Sequence, residues 1–253
     1  MMKHSSWIVN PSPHLEASMR LVCLPYAGGS AAVYRPWLRA FPSQVEVVAI
    51  QLPGRGGRFK ESLYDQADEL VNALFRDCQH YFAEKPLILF GHSMGAMLAY
   101  ELALKLEQCL PGMLRHLIVS AFRGEQRPPS PKVRHLLSDL ELREELKHLN
   151  GTPPELLHNK ELMELFVPII RADMKMCDTY RFDERVLHTG ITAFGGVQDP
   201  EVSEAELEAW SKRTEGAYEL KMYPGDHFFF QQDEQSFLQE LNQIVERLHL
   251  HRV

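Results

Sequence analysis

The chain holds little cysteine: Cys23, Cys78, Cys109 and Cys177 are its only four, widely spaced through 253 residues with no C-x-x-C pair among them. This spacing argues against a paired-cysteine metal or redox site and predicts reduced thiols, two or three of them buried as small hydrophobes, in a cytoplasmic enzyme or binding protein. Basic charge is also short. Lysine and arginine number 27 against 34 acidic residues, a formal net charge of −7, which argues against nucleic acid as the main partner. No stretch approaches the roughly 20 apolar residues that span a bilayer. Residues 1–19, MMKHSSWIVNPSPHLEASM, lack the apolar core of a secretory signal. Repeats and low-complexity segments are missing too. What remains is an ordinary soluble composition, 45% hydrophobic and 24% charged, enough for a sizeable core in one large α/β domain or two small ones.

Short apolar runs alternate with longer helical patterns. Leu21–Leu24, Val45–Ile50, Leu87–Phe90, Leu117–Val119, Ile191–Phe194 and Tyr218–Met222 read as strands, and stretches such as Asp65–Phe82 and Ala96–Leu106 read as helices. That alternation implies an α/β fold, a mostly parallel sheet covered by helices on both faces. Phe122–Arg185 breaks the rhythm with helical patterns and no clear strand, so it is expected to be a helical insertion.

The segment LILFGHSMGAMLAYELALKL, Leu87–Leu106, joins a strand to a helix through G-H-S-M-G. Leu87–Phe90 is too short for a buried helix and too apolar for an exposed strand. Ala96–Leu106 is apolar on most sides, with Glu101 and Lys105 expected as a solvent-side i,i+4 pair. A sharp strand-to-helix turn crowds its centre, so glycine is needed on both flanks, here Gly91 and Gly95. Ser93 then stands above the sheet near a helix N-terminus that favours developing negative charge. A plain helix-capping serine leaves the two glycines unexplained; a nucleophile accounts for them.

A serine nucleophile needs a base, and the base an orienting acid, in the chain order serine, acid, histidine. His249 and His251 lie in a tail expected to be solvated and disordered. His135, His148 and His158 fall in the insertion, where surface roles are expected, and His116 sits at the wrong end of a strand. His227 follows the strand Tyr218–Met222 in the turn Pro224–Gly225–Asp226, where α/β sheets place their ligands. Asp199, in GGVQDP just past Ile191–Phe194, is the matching acid; Asp226 is its rival but adjoins the histidine. Ser93, Asp199 and His227 are the expected catalytic set. The tetrahedral intermediate needs N–H donors as well: Met94, next after the nucleophile, and one from the loop LPYAGGS, for which Ala27 is chosen with Gly28 as the close alternative. LPGRGGR, Leu52–Arg58, lacks the lysine and hydroxyl of a P-loop. Its Arg55 and Arg58 are expected to be solvated, with a phosphate at the pocket mouth as the other reading. No metal, nicotinamide or phosphate-transfer signature is present, and no cofactor is expected.

LPYAGGSA, QLPGRGGR, FGHSMGA, RADMKMCDTY, GGVQDP and GDHFFF, in that order along nearly the whole chain, resemble the type II thioesterases of polyketide and nonribosomal peptide synthesis. The resemblance implies a single α/β-hydrolase domain over residues 1–253 with a lid at Phe122–Arg185. It also implies hydrolysis of acyl groups from the phosphopantetheine arm of carrier proteins, removing stalled or misprimed units. It supports Ser93, Asp199 and His227 as the triad, with Ala27 and Met94 at the oxyanion, and a monomeric protein. One departure is Tyr26, where many relatives have histidine. A carboxylesterase or lipase acting on small soluble esters would use the same residues, and a fatty-acid chain-terminating thioesterase is a nearer variant. A non-catalytic binding protein on the same scaffold is a further alternative, against which the complete set of residues argues.

The insertion carries Leu136, Leu137, Leu140, Leu146, Leu162, Leu165, Phe166, Ile169, Ile170 and Met174 at amphipathic spacing. They are expected to bury against the sheet edge above Ser93. Met174 and Met176 are expected to line the acyl pocket, and Pro128, Pro129 and Pro131 to stiffen one end of the segment.

Overall fold

In the computed structural model, residues 5–10, 13–14, 16–128, 133–149 and 151–250 are described, without the side chains of residues 249 and 250. The strands are β1 (Ile8–Val9), β2 (Met19–Leu24), β3 (Val45–Ile50), β4 (Leu87–His92), β5 (Leu114–Ser120), β6 (Ile191–Gly196) and β7 (Tyr218–Tyr223). They form one sheet in the order β1-β3-β2-β4-β5-β6-β7, parallel throughout except where β1 runs antiparallel to β3. The principal helices are α1 (Ala67–Phe82), α2 (Met94–Cys109), α3 (Asp139–Leu149), α4 (Pro154–His158), α5 (Lys160–Thr179), α6 (Glu204–Glu208) and α7 (Glu234–Leu250).

Successive strand residues point to opposite faces, and two apolar layers follow from that period of two. Leu21, Cys23, Val47, Ala49, Ile88 and Phe90 join Trp37 and the α7 residues Phe237 and Leu241 on one side. Val22, Leu24, Val48, Ile50, Leu87 and Leu89 join α1 and α2 on the other. Every residue of β2, β3 and β4 is buried. The charged pair opposed across β2 and β3, Arg20 and Glu46, is buried with its groups satisfied: Arg20 Nε donates to Glu46 Oε2 at 2.7 Å, Arg20 Nη2 to Glu84 at 2.7 Å, and Asn10 to Glu46 Oε1 at 2.8 Å. The strand order reverses between β2 and β4, and a crevice opens there beyond the carboxyl ends of the strands.

The strands run past their expected ends, because residues such as His92, Ser120 and Gly195 continue the pairing without any apolar signal. β1, two residues long, is an addition to the expected set. In the interval between β5 and β6, among the described residues, Leu187 adds a single bridge to Thr214 and the regular elements are all helical. There the expected packing is corrected: Leu136, Leu140, Leu162 and Leu165 are exposed. Leu142, Leu146, Leu157, Met163, Val167, Ile170 and Met174 instead form a third cluster of their own, so α3, α4 and α5 pack chiefly on one another; Leu140, Leu162 and Leu165 fall on their outward faces and Leu136 in the short turn Arg134–Leu136 before α3. Pro129 and Pro131 lie outside the described residues.

Other expectations change similarly. Glu101 and Lys105 do not pair: the Tyr180 hydroxyl donates to Glu101 at 2.6 Å, and Lys105 reaches Asn72. The chain at Tyr180 and Arg185 covers that turn of α2 and takes its acid out of solvent. α7 is helical through His249, so the expected disorder there is not found; His251 is outside the described residues. His135 is half-buried rather than on the surface, held by Asp178 at 2.7 Å.

Candidate active site

β4 ends at His92 and α2 begins at Met94, leaving Ser93 as the single residue between them. Its φ of 53° and ψ of −124° are unusual for any residue with a side chain. The surroundings impose this conformation. The Ser93 amide donates to Ser120 O at 2.7 Å, and the flanking backbone is closely packed. A Cβ on Gly91 would lie 2.0 Å from Gly95 O, and one on Gly95 would lie 2.2 Å from Leu24 O, so both positions require glycine.

The sequence-predicted residues meet at this point. His227 Nε2 lies 3.0 Å from Ser93 Oγ, and His227 Nδ1 lies 2.8 Å from Asp199 Oδ2. Asp199 is held in turn: its Oδ1 accepts the amides of Glu201 and Val202, at 2.7 and 3.3 Å. Its side chain is 1% exposed and that of His227 8%. The rival acid, Asp226, directs Oδ1 to the Phe228 amide at 2.9 Å, closing a local turn. Since β4, β6 and β7 are parallel, their carboxyl ends bring three remote loops to one crevice.

The two amides expected at the oxyanion differ from their alternative in availability. Gly28 N–H donates to Asp173 Oδ2 at 2.7 Å and is therefore committed. Among the described residues, the amides of Ala27 and Met94 have no acceptor. Asp173 belongs to α5 and is paired with Arg55. The expectation that Arg55 and Arg58 are solvated is thus overturned. Arg55 is 5% and Arg58 8% exposed; Arg58 pairs with Glu61 at 2.5 Å and lies over the Trp7 ring. No local pattern could have revealed the Arg55 pairing, since its partner stands 118 residues away.

His92, the unassigned position of G-H-S-M-G, is also part of the site. Its Nδ1 lies 2.9 Å from Ser120 Oγ, and its ring centroid 5.3 Å from that of His227. Complete burial, reinforced by nearby His227, pushes its pKa well below the ordinary 6.5, so the ring is neutral and adds no cation beside His227. The Tyr26 ring sits edge-on to His92 and Phe228, at 5.9 and 5.0 Å, as a wall of the site.

Ser93 and His227 open into a cavity of about 430 Å³. Leu146, Leu156, Phe166, Ile170 and Met174 give it an apolar wall, and Arg123, Arg127, Arg134 and Arg181 a cationic one. Arg127 and Arg134 are neutralised by Glu206 and Glu201. Met174 is where it was expected; Met176 is not, being buried in the main core beside α2. Among the described residues, no three potential ligands gather as a metal site and no helix is long and apolar enough to cross a membrane.

A family model described as a thioesterase domain matches residues 19–249. The gramicidin S biosynthesis protein GrsT of Aneurinibacillus migulanus is 38% identical over 226 residues, 89% of this chain and 88% of that protein. The protein named linear gramicidin dehydrogenase LgrE of Brevibacillus parabrevis is 36% identical over 238 residues, 92% of this chain and 90% of that one. Among solved structures, the type II thioesterase BorB from the borrelidin biosynthetic cluster superposes with a TM-score of 0.86 at 38% identity, covering 97% of this chain and 99% of that chain. With a thioesterase-domain model matching residues 19–249 and relatives more than 30% identical over most of both chains, this chain belongs to the thioesterase family.

Proposed function

We infer that the chain hydrolyses acyl thioesters held on the phosphopantetheine arm of carrier proteins, releasing stalled or misprimed groups during polyketide and nonribosomal peptide assembly. The observation that carries this reading is the line Ser93 Oγ–His227–Asp199 opening on a chamber with one apolar and one cationic wall. Ser93 Oγ attacks the thioester carbonyl carbon as His227 Nε2 takes its proton. Asp199 holds the imidazole tautomer and stabilises the imidazolium that forms. The oxyanion is received by the amides of Met94 and Ala27, with the N-terminus of α2 adding a favourable dipole. The C–S bond then breaks and His227 returns the proton to the departing sulfur. A water molecule, activated by the same histidine, hydrolyses the acyl-serine.

The proposal treats the chain as one domain in which the segment Phe122–Arg185 serves as a lid over the chamber. A monomer is supported by the origin of every site residue in one chain, and a cytoplasmic setting by four unpaired cysteines. The test compares one acyl group presented on a carrier protein, on free pantetheine and as a p-nitrophenyl ester. Higher kcat/KM on the carrier is expected. A preference for the free ester would instead indicate a carboxylesterase, and a sharp preference for long acyl chains a fatty-acid chain terminator.

A further inference from the structure

Asp173 is a carboxylate with no exposed surface, and the reaction just described does not use it. Its Oδ2 accepts the Gly28 amide at 2.7 Å and Arg55 Nη1 at 2.5 Å, while Oδ1 accepts Arg55 Nη2 at 2.8 Å. Arg55 is fixed independently, Nε donating to Pro53 O at 3.3 Å and Nη1 reaching Gly29 O at 3.5 Å. The loop after β2, the loop after β3 and α5 are therefore tied at one carboxylate. A buried ion pair is a poor source of net stability, because desolvating both charges offsets their attraction, and apolar residues of similar volume often serve as well. Geometry is what a forked pair supplies and apolar packing does not.

The geometry here bears on Ala27. The Gly29 amide donates to Tyr26 O at 2.8 Å, closing a tight turn with Ala27 and Gly28 at its centre. Gly28 has φ +75°, the value required at the third position of a type II turn. That turn's own bond leaves the Ala27 N–H unused. It orients the Tyr26–Ala27 peptide, which carries that N–H, only within the turn; the next N–H, on Gly28, is accepted by Asp173, which ties the turn as a whole to α5. α5 also bears on the turn sterically: a Cβ on Gly28 would lie 2.5 Å from Phe166 Cζ and 3.1 Å from Ile170 Cδ1.

We propose that Asp173, its charge held by Arg55, is a positioning residue that pins the Gly28 amide so that the neighbouring Ala27 amide stays directed at the oxyanion, making that donor depend on the seating of α5. This rests on the reading of Ala27 as an oxyanion donor. It predicts a defect in transition-state stabilisation with binding and His227 unchanged.

The test uses Asp173→Leu, which removes the acceptor of the Gly28 amide, and the double variant Asp173→Leu/Arg55→Met, in which no buried cation is left without its partner. Activity is measured on a p-nitrophenyl ester, so that the result does not depend on carrier-bound thioesters being the natural substrate; whether the unmodified chain hydrolyses those is a separate assay. Ser93 is titrated with a fluorophosphonate so that rates refer to folded, reactive enzyme. A fall in kcat of roughly 10²–10³-fold per titrated site, the range for loss of one oxyanion donor, is expected, with KM and the pH at half-maximal rate unchanged. A kcat per site within about threefold of the unmodified chain, or a loss confined to KM, overturns the proposal. If the variants do not fold, hydrogen exchange on the unmodified protein decides: the Gly28 amide should be protected like those of β2 and β4, and exchange at the rate of an open loop overturns it.

Discussion

His227 Nδ1 stands 2.8 Å from Asp199 Oδ2, a partner 28 residues back in the chain, while the adjacent Asp226 is turned away to cap Phe228. The near neighbour in sequence is thus the wrong acid in space. Asp199→Asn should retain the fold yet present the wrong tautomer of His227 to Ser93, lowering kcat by roughly 10⁴-fold if general triad behaviour applies. Asp226→Asn should cost far less. Steady-state kinetics on both variants decides between them, and the reverse ranking removes Asp199 from its role.

Ser93 carries the second prediction. Ser93→Ala should lose roughly a thousandfold or more in thioester hydrolysis. Ser93→Gly should be as inactive but more stable than Ser93→Ala by about 1 kcal/mol, since φ 53°, ψ −124° strains any residue with a Cβ and not glycine. Urea denaturation of the two inactive proteins measures the difference. Equal midpoints would argue that the turn stores no strain at this residue.

The two methionines of α5 separate chamber from core. Met174→Trp should shorten the preferred acyl chain while sparing release of acetyl groups, because Met174 lines the cavity. Met176→Ala should leave the acyl profile alone and lower stability by about 2–5 kcal/mol, because Met176 is 1% exposed within the main core. Acyl-length profiling beside thermal denaturation reads both. An unchanged profile in Met174→Trp would leave the segment as packing alone.

Buried His116 should make the protein acid-sensitive. Its Nε2 lies 2.8 Å from Thr192 Oγ1, and burial holds its pKa down to about 4 from an ordinary 6.5. The unfolded chain therefore binds the proton first. The stability contributed by the neutral ring is fully present above pH 6.5 and is lost as pH falls from there towards 4, about 2 kcal/mol of it by pH 5. His92, depressed by burial in the same direction, adds to the trend. Unfolding free energies at pH 7.5 and pH 5 should fall less steeply in His116→Gln. An identical slope in that variant removes His116 as a cause.

Where chemistry is written into neighbouring residues, the sequence announces it. The apolar run ending in G-H-S-M-G dictates both a central strand and the serine above it, and the loops bearing Asp199 and His227 follow strands read in the same way. The misreadings share a different cause. Arg55 looks solvated in LPGRGGR because its counter-charge lies 118 residues away on another element. Leu136 and Leu162 look buried because amphipathic spacing says which residues share a face and not what that face meets. β1 has two residues, and only its pairing with Ile50 and Ala49 makes it a strand.

The helical segment's separate cluster has an evolutionary consequence. Leu142, Leu157, Met163 and Val167 pack among themselves, apart from the layers that support the strands. Ser93, Asp199 and His227 stand outside this cluster, and of the two amides placed at the oxyanion only that of Ala27 belongs to a residue packed against it. Leu146, Ile170 and Met174 of the same cluster line the chamber, so descendants of one ancestor can acquire new acyl tastes by drift in that wall while Ser93, Asp199 and His227 keep their places. Asp173 marks the edge of that freedom, because there wall and apparatus share a single carboxylate.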